Sequence, residues 1–163
     1  MKSYQFTIIA SGLDHEADDF EDRFFEAGCD DATIAFTRGA IILEFDRVER
    51  NFSHAVASAI ENVASAGAHV ERVEPDYLVS LADIAERSGL TRAAITNYAN
   101  GERGKDFPVP VARVSSGSPL WNWVDVAKWL RRRSQISTDA VVEARIVKRA
   151  NDNIKAAREL AFA

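Results

Sequence analysis

Between Ser80 and Gly101 the chain reads SLADIAERSGLTRAAITNYANG: two short amphipathic stretches, each opened by a hydroxyl side chain and separated by one glycine. This punctuation leaves few folds open. Ser80 suits an N-cap and Asp83 stands at N3, a shortened capping box in which both side chains satisfy amide donors that a first turn leaves unpaired. Leu81, Ile84 and Ala85 form the apolar side of the first helix. Ala82 and Ala85 are expected to let a second helix approach closely. Gly89 supplies the left-handed residue of a tight stop, and Leu90 is expected to be buried in the turn. Thr91 caps the second helix, which turns Ile95 and Tyr98 inward and closes at Asn100-Gly101. The pattern is that of a helix-turn-helix, or of a plain helical hairpin with a solvated polar face.

Charge separates the two halves of the chain. The formal net charge is −5. Residues 1–76 hold six basic and sixteen acidic side chains, a balance of −10, and residues 77–163 hold fourteen and nine, a balance of +5. Two units with different partners are expected, and the basic one suits a polyanion. No apolar run approaches the roughly 18 residues of a membrane span. The N-terminus lacks the pattern of a signal peptide. Cys29 is the only cysteine, which excludes an intramolecular disulfide and a cysteine-cluster metal site. A reducing, cytoplasmic location follows as the expectation.

The acidic half alternates two periodicities. Tyr4–Ala10 is aromatic and β-branched, hence a strand. Asp14–Ala27 is expected to be a helix capped by Asp14, with Phe20, Phe24 and Ala27 on its apolar stripe and Ala17 and Phe25 beside it. Gly28 would end it. Asp31–Thr37 and Ala40–Phe45 are strands joined by a turn at Arg38-Gly39. Asn51–Ala66 is a second helix, with Phe52, Val56, Ile60 and Val63 inward. Ala68–Glu74 is a last strand that ends at Pro75. This order, βαββαβ over residues 1–76, is the split βαβ or ferredoxin-like arrangement, so the class is α+β.

The acidic half offers little chemistry. His15 stands at a helix start beside Asp14 and Glu16, and His54 and His69 are isolated. Asp18, Asp19, Glu21 and Asp22 read as a solvated helix face. Cys29 reads as a buried or half-buried thiol. No nucleophile elbow, phosphate-cradling glycine loop or metal-spaced histidine pair occurs. No enzymatic activity, cofactor or metal is expected.

After Gly101 comes ERGKDFPVPVARVSSGSPLWNWVDVAKWLRRR. Phe107-Pro108-Val109-Pro110 is extended. Val111–Val114 and Pro119–Trp121 read as two short strands around Ser115-Ser116-Gly117-Ser118. Asn122 or Trp123 opens another helix, with Val126, Ala127, Trp129 and Leu130 apolar. Helix-turn-helix, then FP-x-P, then a short wing, then LW-x-W-x-DV-x-x-WL resembles the DNA-binding domains of the MerR, excisionase and AlpA group, over roughly residues 78–133. The resemblance implies a winged helix-turn-helix domain at 77–135 whose second helix enters the major groove of double-stranded DNA. It places Thr91, Arg92, Ala93, Thr96 and Asn97 at the groove, and Arg103, Lys105 and Arg113 on or near the wing. Independently, side-chain chemistry suits Arg92 to guanine or phosphate, Asn97 to adenine, and Ala93 to a thymine methyl. Residues 87–133 hold nine basic and three acidic groups, a balance of +6. Arg131, Arg132 and Arg133 either neutralise phosphates or complement the helix C-terminus.

Residues 136–163 are expected to form a long helix from about Ala140 to Ala161, opened by Ser137, Thr138 and Asp139. Its apolar seam is read as Val142, Ile146, Ala150, Ile154 or Asn153, Ala157 and Leu160. That seam either packs on the chain itself or pairs with a second copy. The resemblance favours a homodimer on palindromic half-sites, and a sequence-specific transcriptional regulator. In this chain an acidic domain precedes the DNA-binding segment, which the resembled regulators usually place first. The rival expectation is an antitoxin-like module whose acidic N-terminal domain docks a protein partner.

Overall fold

The computed structural model describes residues 1–161 and shows an α+β protein, with a four-stranded antiparallel sheet and six helices among them. It divides into two compact units: Met1–Pro75 with the residues from Arg149 onward, and Asp76–Lys148.

The first unit runs β1 (Lys2–Ser11), α1 (Phe20–Glu26), β2 (Ala32–Thr37), β3 (Ala40–Glu49), α2 (Phe52–Ser65) and β4 (His69–Glu74). The strand order is β2-β3-β1-β4. β1 and β3 pair from Lys2 opposite Glu49 to Ala10 opposite Ile41, which puts Phe6, Ile8, Ile41, Leu43 and Phe45 on one buried face. Alternation with period two then sends Gln5, Thr7, Glu44 and Asp46 to the other face. α2 is capped by the Asn51 side chain, which accepts from the His54 amide at 2.8 Å. Phe52, Ala55, Val56, Ala59 and Val63 are its buried residues. Each large apolar side chain removed from water here is worth about 1.5–3 kcal/mol.

Four local expectations are corrected in this unit. Asp14–Ala27 is not one helix, because α1 begins only at Phe20. Asp14 caps no helix: its carboxylate accepts from the Glu16 amide at 2.9 Å, and its carbonyl accepts from Ala17 in a turn. Asp and Asn side chains compete with the helix in this way, and the crowd of like charges through Asp22 adds repulsion. Phe25, expected beside the apolar stripe, is exposed. β3 extends beyond Phe45 to Glu49 because Arg47 continues the inward alternation.

That inward arginine is buried and fully engaged. Its Nε and Nη2 grip the Asp31 carboxylate at 2.8 and 2.9 Å. Nη1 donates to Ser58 at 3.0 Å and to Asn62 at 2.8 Å, and Nη2 also donates to the Gly28 carbonyl at 2.8 Å. One guanidinium thus ties the α1–β2 loop, β3 and α2. Cys29 lies buried beside it. Burial, partly countered by Arg47, pushes the thiol pKa up to about 11.

The second unit contains β5 (Leu78–Val79), α3 (Leu81–Ser88), α4 (Arg92–Ala99), β6 (Trp121–Asn122), α5 (Trp123–Arg132) and the start of α6 (Thr138–Ala161). Its core joins Val79, Ile84, Ile95, Tyr98, Trp121, Trp123, Val126, Ala127, Trp129 and Leu130 with Val141 and Ala144 of α6. Leu90 is half-buried against that core, and Ala85 packs on it, whereas Ala82 is exposed and takes no part in the close approach.

The segment expected as two wing strands forms only one bridge, Ala112 to Leu120. Trp121–Asn122 pairs instead with Leu78–Val79. Two features account for the difference: Pro119 lacks the amide that a ladder needs, and Arg113, at φ +51°, enters a turn closed by Ser116 immediately after the bridge.

The C-terminal helix is also rotated from its expected seam. Its buried residues are Val141, Ala144 and Val147, while Val142 and Leu160 are exposed. Ile146, Ala150 and Ile154 are half-buried, and Ala157 is exposed. The observed face continues to Asn151, a polar residue that a search for apolar side chains passes over. No helix among the described residues is long and apolar enough to cross a membrane.

Candidate nucleic-acid interface

α3 and α4 are set by their caps. The Ser80 hydroxyl accepts from the Asp83 amide at 3.1 Å, and the Asp83 carboxylate accepts from the Ser80 amide at 2.9 Å. Gly89 ends α3 at φ +74°, a conformation that glycine reaches without a Cβ clash. The Thr91 hydroxyl accepts from the Ala94 amide at 3.1 Å. Each cap is worth about 1 kcal/mol.

α4 then divides by face. Ile95 and Tyr98 are buried; Thr91, Arg92 and Ala93 are exposed; Thr96 and Asn97 are half-buried. The exposed residues coincide with the N-terminal turn, where unpaired amides and the helix dipole favour an anion.

A long loop follows and is held by aromatic side chains. The Trp129 indole donates to the Lys105 carbonyl at 2.8 Å, and the Trp121 indole donates to the Pro108 carbonyl at 2.9 Å. Phe107 packs edge-on to Trp129 with ring centroids 5.0 Å apart. Gly104, at φ +70°, presses its backbone onto Trp129: an added Cβ would lie 2.9 Å from the indole and 3.3 Å from Arg133. The tryptophans are therefore core residues that also clamp the loop.

This clamp gathers part of the basic set. Arg133 lies over the rings of Trp129 and Tyr98, 4.9 and 5.1 Å from their centroids. Arg103 and Lys105 flank the glycine that rests against the same ring. Arg131 is committed differently, since its Nε donates to the Thr138 hydroxyl at 2.9 Å. Arg132 is exposed. Arg113 heads its own turn, at φ +51°, where its carbonyl accepts from the amide and hydroxyl of Ser116.

One member of this cluster was not singled out by sequence reasoning. Gln135 donates to the Tyr98 hydroxyl at 2.8 Å. That bond, more than the nearby Arg133 and against the effect of burial, lowers the phenol pKa from its usual 10.0. A glutamine just past an arginine run carries no distinguishing periodicity. Among the described residues, no three His, Cys, Asp or Glu side chains converge as metal ligands. Comparison of the chain with protein-family models, curated proteins and solved structures finds no match.

Proposed function

We propose that residues 76–148 bind double-stranded DNA sequence-specifically, as a MerR-like helix-turn-helix with a loop in place of a stranded wing, and that the protein regulates transcription. The observation that carries this reading is the division of α4: a capped N-terminal turn exposes Thr91, Arg92 and Ala93 while Ile95 and Tyr98 anchor the helix from behind. An arginine held on such a turn reaches guanine or phosphate, and Thr96 and Asn97 line the same helix for base edges. Arg103, Lys105, Arg113, Arg131, Arg132 and Arg133 supply phosphate contacts around it. The cation–π seat of Arg133 keeps its guanidinium placed at lower entropic cost. The βαββαβ order and the β2-β3-β1-β4 sheet support a ferredoxin-like reading of the first unit. Two copies on a palindromic site fit a helix-turn-helix of this kind.

The test is a fluorescence-anisotropy titration of the full chain on genomic DNA fragments at two salt concentrations, beside Arg92→Ala. The reading requires binding that falls steeply with salt and weakens in the variant. Absence of binding by folded protein at low salt overturns it.

A further inference from the structure

The two edges of the four-stranded sheet are treated differently. β4, at one edge, is occupied: the Asn151 side chain donates to the Val73 carbonyl at 3.0 Å and accepts from the Val73 amide at 2.7 Å. β2, at the other edge, pairs only with β3 among the described residues.

The backbone groups that β2 leaves open follow from its register. The Asp46 amide donates to the Asp31 carbonyl, so Asp31 and Asp46 form a hydrogen-bonded pair. Antiparallel pairs alternate, so Thr33, Ala35 and Thr37 also bond to β3, while Ile34 and Phe36 turn their N–H and C=O away from it. β2 carries no charge, proline or bulge, the usual devices that discourage pairing at an edge.

Beside this edge lies a notch of about 330 Å³, lined by His15, Asp18, Glu21, Asp22, Ile34 and Phe36 among others, with no lysine or arginine. His15 stacks on Phe36, ring centroids 3.7 Å apart, and forms one wall. A strand laid along β2 bonds to Ile34 and Phe36 and sends alternate side chains towards the notch.

We propose that β2 accepts an extended, basic segment of another protein as a fifth strand. Main-chain bonds to Ile34 and Phe36 would supply the docking, and lysine or arginine at alternate positions would meet Asp18, Glu21 and Asp22. The charge selects this occupant over a second copy of the chain. A second copy brings its own acidic turn to the same place, and residues 1–76 already stand at −10.

The test uses the full chain and a fluorescein-labelled peptide of about seven residues, alternating lysine and valine and blocked at both ends. Two control peptides replace lysine by glutamate or carry N-methyl groups on alternate backbone amides. Saturable binding is expected, weakened about tenfold or more by either change. The amide resonances of Ile34 and Phe36 should shift on titration. Phe36→Pro removes an outward donor, and the combination Asp18→Asn, Glu21→Gln and Asp22→Asn removes the charge without touching the strand; each should weaken binding. Absence of binding, equal binding of the N-methylated peptide, or shifts confined to other residues overturns the proposal. So does a wild-type dimer that Phe36→Pro converts to monomer, which would identify the occupant of β2 as a second copy.

Discussion

Asn151 and Val73 stand 78 residues apart, yet the side-chain amide of one answers both backbone groups of the other, at 3.0 and 2.7 Å. The asparagine does for β4 what a neighbouring strand would do. Seven residues on, Arg158 pairs with Glu71, two residues back along the same strand. Asn151→Ala should cost about 1–3 kcal/mol, because it strands a donor and an acceptor together. Denaturant titration reads the loss, and hydrogen exchange at the Val73 amide should accelerate before that of β1 and β3.

Arg47 is the next position to change. Replacing it by methionine leaves Asp31 without its partner and removes donors from Ser58, Asn62 and the Gly28 carbonyl. A loss of about 3 kcal/mol is expected, somewhat less for Arg47→Lys, whose single ammonium cannot reproduce the fork. Thermal unfolding of both variants decides the order.

Two titrations bound the stability in pH. Ser11 and Arg158 hold Glu71 below its ordinary value of 4.5, so its contribution is complete above that value and disappears as pH falls through the lowered one. Cys29, raised from 9.0 to about 11, works at the other end: its contribution is complete below 9.0 and disappears as pH climbs towards 11. Glu71→Gln should flatten the acid limb and Cys29→Ala the alkaline one in stability measured against pH. At neutral pH a thiol reagent should modify Cys29 only after unfolding.

The loop clamp can be released one bond at a time. Trp129→Phe keeps an aromatic ring but loses the bond to Lys105 and part of the buried indole, at about 1–3 kcal/mol. Gly104→Ala must fit a Cβ 2.9 Å from that ring at a positive φ, and should cost at least as much. Both variants should raise protease sensitivity between Glu102 and Asp106 while leaving α3 and α4 folded.

On DNA, Arg92→Ala and Lys105→Ala should differ in kind. Under the proposed DNA-binding reading Arg92 contacts a base as well as a phosphate, so its loss should cost about 1–3 kcal/mol and relax preference among sites. Lys105, on the clamped loop, should weaken all sequences alike and reduce the salt slope by about one unit. Parallel titrations on a selected site and on scrambled DNA separate the two.

Much of the fold was legible because local signals agreed with one another. Ser80, Gly89 and Thr91 mark α3 and α4 by chemistry that acts within a single turn, and each takes the conformation expected of it. Arg38-Gly39 sets the β2–β3 hairpin in the same way, with φ of +53° and +82°. Long-range contacts were less legible. Asp14 looks like a cap until its side chain is seen to serve a turn. Pro119, which weakens the wing ladder, was visible, but the partner that Trp121 takes instead lies more than forty residues earlier. On α6 the expected seam ran through Val142 and Leu160, which are exposed, while Val141, Ala144 and Val147 are buried and Asn151 makes its contribution through hydrogen bonds. At the candidate site the exposed face of α4 was readable from Ile95 and Tyr98 alone. The tethering of Lys105 by Trp129 was not, since an indole donor gives no hint of which carbonyl it will find.

The clasp between Val73 and Asn151 also carries a consequence for synthesis. A ribosome extending the chain by about 5–20 residues per second completes β4 several seconds before it reaches the asparagine that shields it. Through that interval the young sheet has two bare edges rather than one. A chain released before position 151 would keep both, and would offer any nearby strand the place that Asn151 fills in the finished molecule.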